Sequence, residues 1–169
     1  MKAAEITVTV SCDAWLAACP NAEALAEIAA GAALAAERNG VEDAPVLVGI
    51  VLTDDSEQRE LNRTWRGKDS PTNVLSFAIA DPAEPAPPGS PIGAPVLLGD
   101  VVLAFETVAR EAAAQGKTLP DHLSHLVVHG VLHLVGFDHE SDAEAAIMEA
   151  REIEILAGLG VPAPYENTM

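Results

Sequence analysis

Residues 5–10, EITVTV, alternate polar and apolar side chains and are rich in β-branched residues, which predicts a half-buried strand. An Ala- and Leu-rich run from Asn21 to Arg38 predicts a helix, with Asn39-Gly40 as its stop signal. VLVGIVLT, residues 46–53, is apolar throughout at strand length, which predicts a central strand buried on both faces. Asp54 or Asp55 can then cap a helix running to about Trp65 and closed by Gly67. NVLSFAI (73–79) and VLLGDVVLA (96–104) predict two further strands, the second followed by a helix to about Gln115 that stops at Gly116. Between them DPAEPAPPGSPIGAP, residues 81–95, is too crowded with proline for a helix or an inner strand and predicts an extended surface loop. The last third reads as helical, and no segment repeats at a fixed period. The expected fold is α+β: one domain over residues 1–169, with a small mixed four-stranded sheet packed with several helices.

Candidate chemistry concentrates in one of those helices. Thr118-Leu-Pro-Asp121 has the form of a capping box, with proline tolerated in the first turn. The sequence that follows, DHLSHLVVHGVLHLVG, is apolar nearly all round, so the helix is expected to be buried. A buried imidazole needs partners for both ring nitrogens, and burial favours its neutral, metal-binding form. His129 and His133 lie one turn apart on one face, Gly136 can end the helix and reverse the chain, and His139 can swing back as a third ligand. Three histidines with an open fourth position form the arrangement of catalytic zinc, although an all-nitrogen set also suits nickel, copper or iron. The plainer alternative is two core histidines bonded to backbone carbonyls and an unrelated surface His139. His125 and His122 can line the mouth of the site or simply belong to a partly exposed first turn. Asp138 can orient a ligand from behind or serve as a turn residue. Ser141 and Glu144 read as a second capping box, opening a helix over 142–157.

The spacing of His129 and His133 is that of a metalloprotease helix, in which a glutamate follows the first histidine as general base. Here that position is Gly130. Zinc on three imidazoles lowers the pKa of a bound water to about 7, so hydroxide can form without a helper base. A peptide's amine leaving group also needs a proton delivered to it; a phosphodiester's leaving group is better. Gly130 therefore counts against a protease and is compatible with phosphodiester cleavage.

Composition narrows the setting. A chain of 169 residues, 49% hydrophobic, can bury a sizeable core. Neither a signal-peptide pattern nor an apolar run of about 18 residues is evident. Cys12 and Cys19 read as reduced thiols of a cytosolic protein. The formal net charge of -17 argues against broad, nonspecific nucleic-acid binding. Yet four of the nine Lys and Arg residues fall between 59 and 68: Arg59, Arg63, Arg66 and Lys68. They form either a local phosphate-binding patch or a solvated helix face.

Three blocks carry a family resemblance: LNRTWRGKDSPTNVLSF (61–77), LLGDVVLA (97–104) and HGVLHLVGFDH (129–139). In this order and spacing they resemble the YbeY family of bacterial single-strand-specific endoribonucleases, also called rRNA maturation factors. The resemblance covers the chain from about residue 46 onward; the first 45 residues match only in general character. It implies a zincin-like, metal-dependent hydrolase fold and a cytoplasmic, zinc-dependent endoribonuclease. That enzyme would act in rRNA maturation, including 16S 3′-end processing, and in small-subunit quality control. The implied partners are single-stranded RNA, rRNA and the small ribosomal subunit, with no membrane and no DNA. It carries ligand roles to His129, His133 and His139, and a functional role to Arg66, whose planar guanidinium suits a phosphate. Arg63 and Lys68 stay with the solvated face. Two departures are Trp65, where tyrosine is commoner, and the proline-rich 81–95 loop. The competing reading is a non-catalytic ribosome-assembly or RNA-binding factor with a structural metal.

Overall fold

The computed structural model describes residues 4–38, 46–69, 72–78, 96–137 and 141–164. Asn39-Gly40, the 81–95 loop, Asp138 and His139 lie outside them. In chain order the elements are β1 (Ala4–Val10), α1 (Ala14–Ala18), α2 (Ala22–Arg38), β2 (Val46–Thr53), α3 (Asp55–Arg66), β3 (Val74–Ala78), β4 (Val96–Ala104), α4 (Phe105–Ala114), α5 (Leu119–Leu134) and α6 (Asp142–Gly158). The described residues form one four-stranded sheet, ordered β1-β2-β4-β3. β1, β2 and β4 are parallel, and β3 is an antiparallel edge strand. The expected mixed sheet is therefore present. The short helix α1 was not expected; it sets Trp15 into the core, where its indole N–H donates to Thr53 O at 2.8 Å.

One face of the sheet holds the core. The alanines of α2 at 22, 26, 29, 30 and 33 are fully buried and recur at helical spacing, so the backbone can approach closely. α5 packs beside it and is buried on nearly every side, from Leu123 to Leu134, as its all-round apolar pattern predicts. Each fully buried leucine there, such as Leu123 or Leu132, contributes about 1.5–3 kcal/mol relative to exposure.

β2 is central, but only one of its faces is buried throughout. Val46, Val48, Ile50 and Leu52 are buried, whereas Leu47, Gly49 and Val51 on the other face are partly exposed. On that side of the sheet α3 packs against β4, where its Gln58 amide donates to Val102 O at 3.0 Å. A cavity remains there, lined in part by Val51, Leu61 and Val102. Both ends of α3 form as their sequence predicts. Asp54 accepts from Glu57 N, and Gly67 closes the helix at φ 72°.

The capping signals before α5 and α6 differ in outcome. Ser141 and Glu144 bond each other's backbone N–H, forming the complete box. Thr118 accepts from Asp121 N at 3.2 Å, which is one half of a box only.

Candidate metal centre

α5 presents its histidines in a line along one side. The rings of His129 and His133 are 4.7 Å apart between centroids and nearly perpendicular, at 82°. Each is held through Nδ1. His133 Nδ1 lies 3.0 Å from Phe137 O, and His129 Nδ1 lies 2.6 Å from Glu152 Oε2. A carbonyl oxygen only accepts, so His133 Nδ1 must carry the proton. Nε2 is then the ring nitrogen through which it can ligate an ion. The Glu152 carboxylate imposes the same tautomer on neutral His129. Gly136, with φ 112°, follows α5 at the expected break.

Glu152 comes from α6 and is fully buried. It also lies 3.1 Å from His125 Nε2. The ligating atoms of His125, His129 and Glu152 all fall within 4.8 Å of one another, so this group can hold a metal ion. Sequence reasoning missed Glu152. The signal was present: Met148, Glu152 and Ile155 share the buried stripe of α6, and an acid on an apolar stripe needs a partner.

His122 and His125 do not form a partly exposed first turn; both are buried. The helix is covered on that side by α4 and α6, so its start is as deep as its middle. His122 Nε2 lies 3.0 Å from Glu111 Oε1, which also accepts from Asn73 Nδ2 at 2.9 Å. Burial lowers the His122 pKa below its ordinary value, partly opposed by the bond to Glu111.

Gly130 has a packing reason of its own. A Cβ there would stand 2.6 Å from Val101 Cγ1, 3.0 Å from Val101 Cγ2 and 3.1 Å from Ser76 Oγ. The position faces the sheet, and Ser76 Oγ donates to Gly130 O at 3.2 Å. No side chain, acidic or other, fits there unless the helix or the strand gives.

The basic cluster divides as its residues' neighbours dictate. Arg59 pairs with Asp69 at 2.7 Å, which holds the Asp69 carboxyl below its usual range, and Arg63 pairs with Glu60. Arg66 instead reaches the edge strand. Its Nη2 donates to Ser76 O at 2.7 Å, and its guanidinium lies 5.6 Å from the centre of the Phe77 ring. A cleft of about 560 Å³ brings Arg66 together with His129, His133, Asn73 and Ser76.

The family model for endoribonuclease YbeY matches residues 17–160. The chain belongs to the YbeY family. A Paramagnetospirillum magneticum endoribonuclease YbeY is 57% identical over 166 residues, covering 95% of both chains. An Azorhizobium caulinodans endoribonuclease YbeY is 53% identical over 161 residues, covering 95% of this chain and 96% of that one. A solution structure of a Thermotoga maritima protein is similar at a TM-score of 0.50 and 22% identity, over 97% of each chain, and supports the α+β fold. Membership of the YbeY family makes this an enzyme of the endoribonuclease class. Among the described residues, no helix is long and apolar enough to cross a membrane.

Proposed function

We propose that this endoribonuclease cuts single-stranded RNA with one metal ion held by His129, His133 and His139, and with Arg66 on the phosphate. Zinc is the ion that best suits three neutral imidazoles. The substrate is rRNA of the small ribosomal subunit, at the 3′ end of 16S rRNA, and the site of action is the cytoplasm. One observation carries the reading. His129 and His133 are fixed in the metal-binding tautomer by acceptors at Nδ1, in a cleft that also contains Arg66.

When bound, the ion supplies a Lewis acid that polarises a phosphoryl oxygen and acidifies a water. The remaining work belongs to side chains. Arg66 is anchored by one N–H to Ser76 O, which pre-orders the guanidinium before a phosphate arrives. Asn73 lines the same cleft, where its side chain is tied to Glu111. Glu152, fully buried, holds the ring of His129 at Nδ1. With Gly130 pressed on Val101, the protease position for a general base is closed, which favours a phosphodiester over a peptide as substrate.

Elemental analysis of the purified protein tests the ligand set. One ion per chain is expected, with loss in His133→Ala; an unchanged metal content in that variant would refute it.

A further inference from the structure

The cavity on the opposite face of the sheet takes no part in the chemistry above, yet Arg66, Ser76 and Ala78 line both it and the histidine cleft. It has a volume of about 1010 Å³. Two of its residues are not explained by packing. Trp65, on the last turn of α3, is 69% exposed, although its indole is the largest apolar group on that surface. Asp100 stands in the middle of β4, in the otherwise apolar run VLLGDVVLA. Its carboxylate takes no hydrogen bond or ion pair among the described residues. Gly49 makes room for it: a Cβ at Gly49 would stand 2.3 Å from Asp100 Oδ1. Asp100 is half-buried at the cavity wall, so its carboxylate oxygens stand open to water or to the donors of a ligand.

The chemistry of the lining names the visitor. The apolar floor of Val51, Val102 and Phe77 with the exposed Trp65 indole suits the flat face of a base. Arg66 and Lys68 on the same wall suit the phosphates of a chain. The carboxylate of Asp100 only accepts, so it suits N–H groups on a base edge. We propose that this cavity is the subsite for one nucleobase of the RNA substrate, with Trp65 stacking on the base and Asp100 accepting from its N–H groups. The proposal rests on the endoribonuclease reading and adds base selection to it. Arg66 is common to both cavities, so the phosphate beside the seated base is the one offered to the histidines. Guanine presents two adjacent donors, N1–H and N2–H, to the two carboxylate oxygens. Uracil presents one donor between two carbonyl oxygens, which the carboxylate repels. Guanine is therefore preferred over uracil at this position.

Trp15 is fully buried and Trp65 is exposed, so a change in tryptophan emission on mixing with RNA reports Trp65. Single-stranded oligonucleotides that differ at one nucleotide serve as probes. RNA should quench the emission of the wild-type protein and leave that of Trp65→Phe unmoved. In cleavage, Trp65→Ala should raise KM about tenfold with kcat held, as expected for loss of one stacked base, and Trp65→Phe should restore most of it. Asp100→Asn should lose the preference for guanine over uracil. Cleavage with wild-type KM in Trp65→Ala and wild-type base preference in Asp100→Asn would overturn the subsite while leaving the endoribonuclease reading intact. Quenching of Trp65 by RNA that the metal-loaded protein never cuts would do the reverse.

Discussion

Replacing Gly130 with alanine adds one methyl group where α5 rests on Val101 of β4. The new Cβ would stand 2.6 Å and 3.0 Å from the two methyls of Val101. Carbon atoms pack best at about 3.5–4.0 Å, so the helix or the strand must give by about 1 Å. Neither partner is the loose end of a flexible chain: Val101 is fully buried on β4. Overpacking of this kind costs about 1–3 kcal/mol, against a gain of about 1 kcal/mol from replacing glycine inside a helix. The net is a loss of up to about 2 kcal/mol, or up to about 4–8 °C in Tm for a chain of this size. Thermal and urea unfolding followed by circular dichroism measure it. Val101→Ala should relieve the clash, so the double variant should lose less stability than the two single losses added together. A Gly130→Ala protein more stable than the wild type would refute the packing account of this glycine, and additive losses in the double variant would place the strain elsewhere.

Arg66→Ala should lower kcat/KM on RNA about ten- to a hundred-fold, by loss of a charged hydrogen bond to phosphate, with folding and metal content unchanged. Wild-type kinetics in that variant would return Arg66 to the solvated face. Glu152→Gln keeps an acceptor but removes the carboxyl group at His129, and should weaken metal affinity about 10–100-fold while the protein stays folded; equal affinity by competition with a chromophoric chelator would count against its orienting role. Because burial lowers the His122 pKa in the folded protein, the unfolded chain binds the extra proton first as pH falls. Stability should thus be full above the unfolded value near 6.5 and decline below it, until pH has passed the lowered folded value. The charged and titratable groups acting on His122 are Glu111, Lys117 and His125. A His122→Gln protein should show a smaller decline between pH 7 and 5 in urea titrations, and an unchanged decline would exclude His122 as its source.

Periodicity placed most elements because each had one dominant driver. β1 alternates, α5 is apolar all round, and α3 carries a cap at Asp54 and a glycine stop at Gly67. Where the sequence misled, the missing information was tertiary. The apolar run of β2 does not say how much of its second face its neighbours will cover, and that face is partly exposed beside a cavity. The five residues of α1 are too short for a periodic signal, and Trp15 is fixed by a bond to Thr53 O far along the chain. The histidine pair was legible because its geometry is local to one helix. Glu152 was not, since its place beside His129 depends on how α6 docks on α5. Gly130 was readable as an absent base, but its cause, the closeness of Val101, needed the sheet.

Whether a metal at the histidine cleft cuts RNA is decided by cleavage of one defined single-stranded RNA. Metal-loaded protein, chelator-stripped protein and stripped protein with metal restored should be compared, with circular dichroism recorded on each. Cleavage is expected of the first and third, none of the second, and one folded spectrum throughout. Undiminished cleavage by stripped protein would contradict this, and so would loss of the fold on stripping, which would make the ion structural instead.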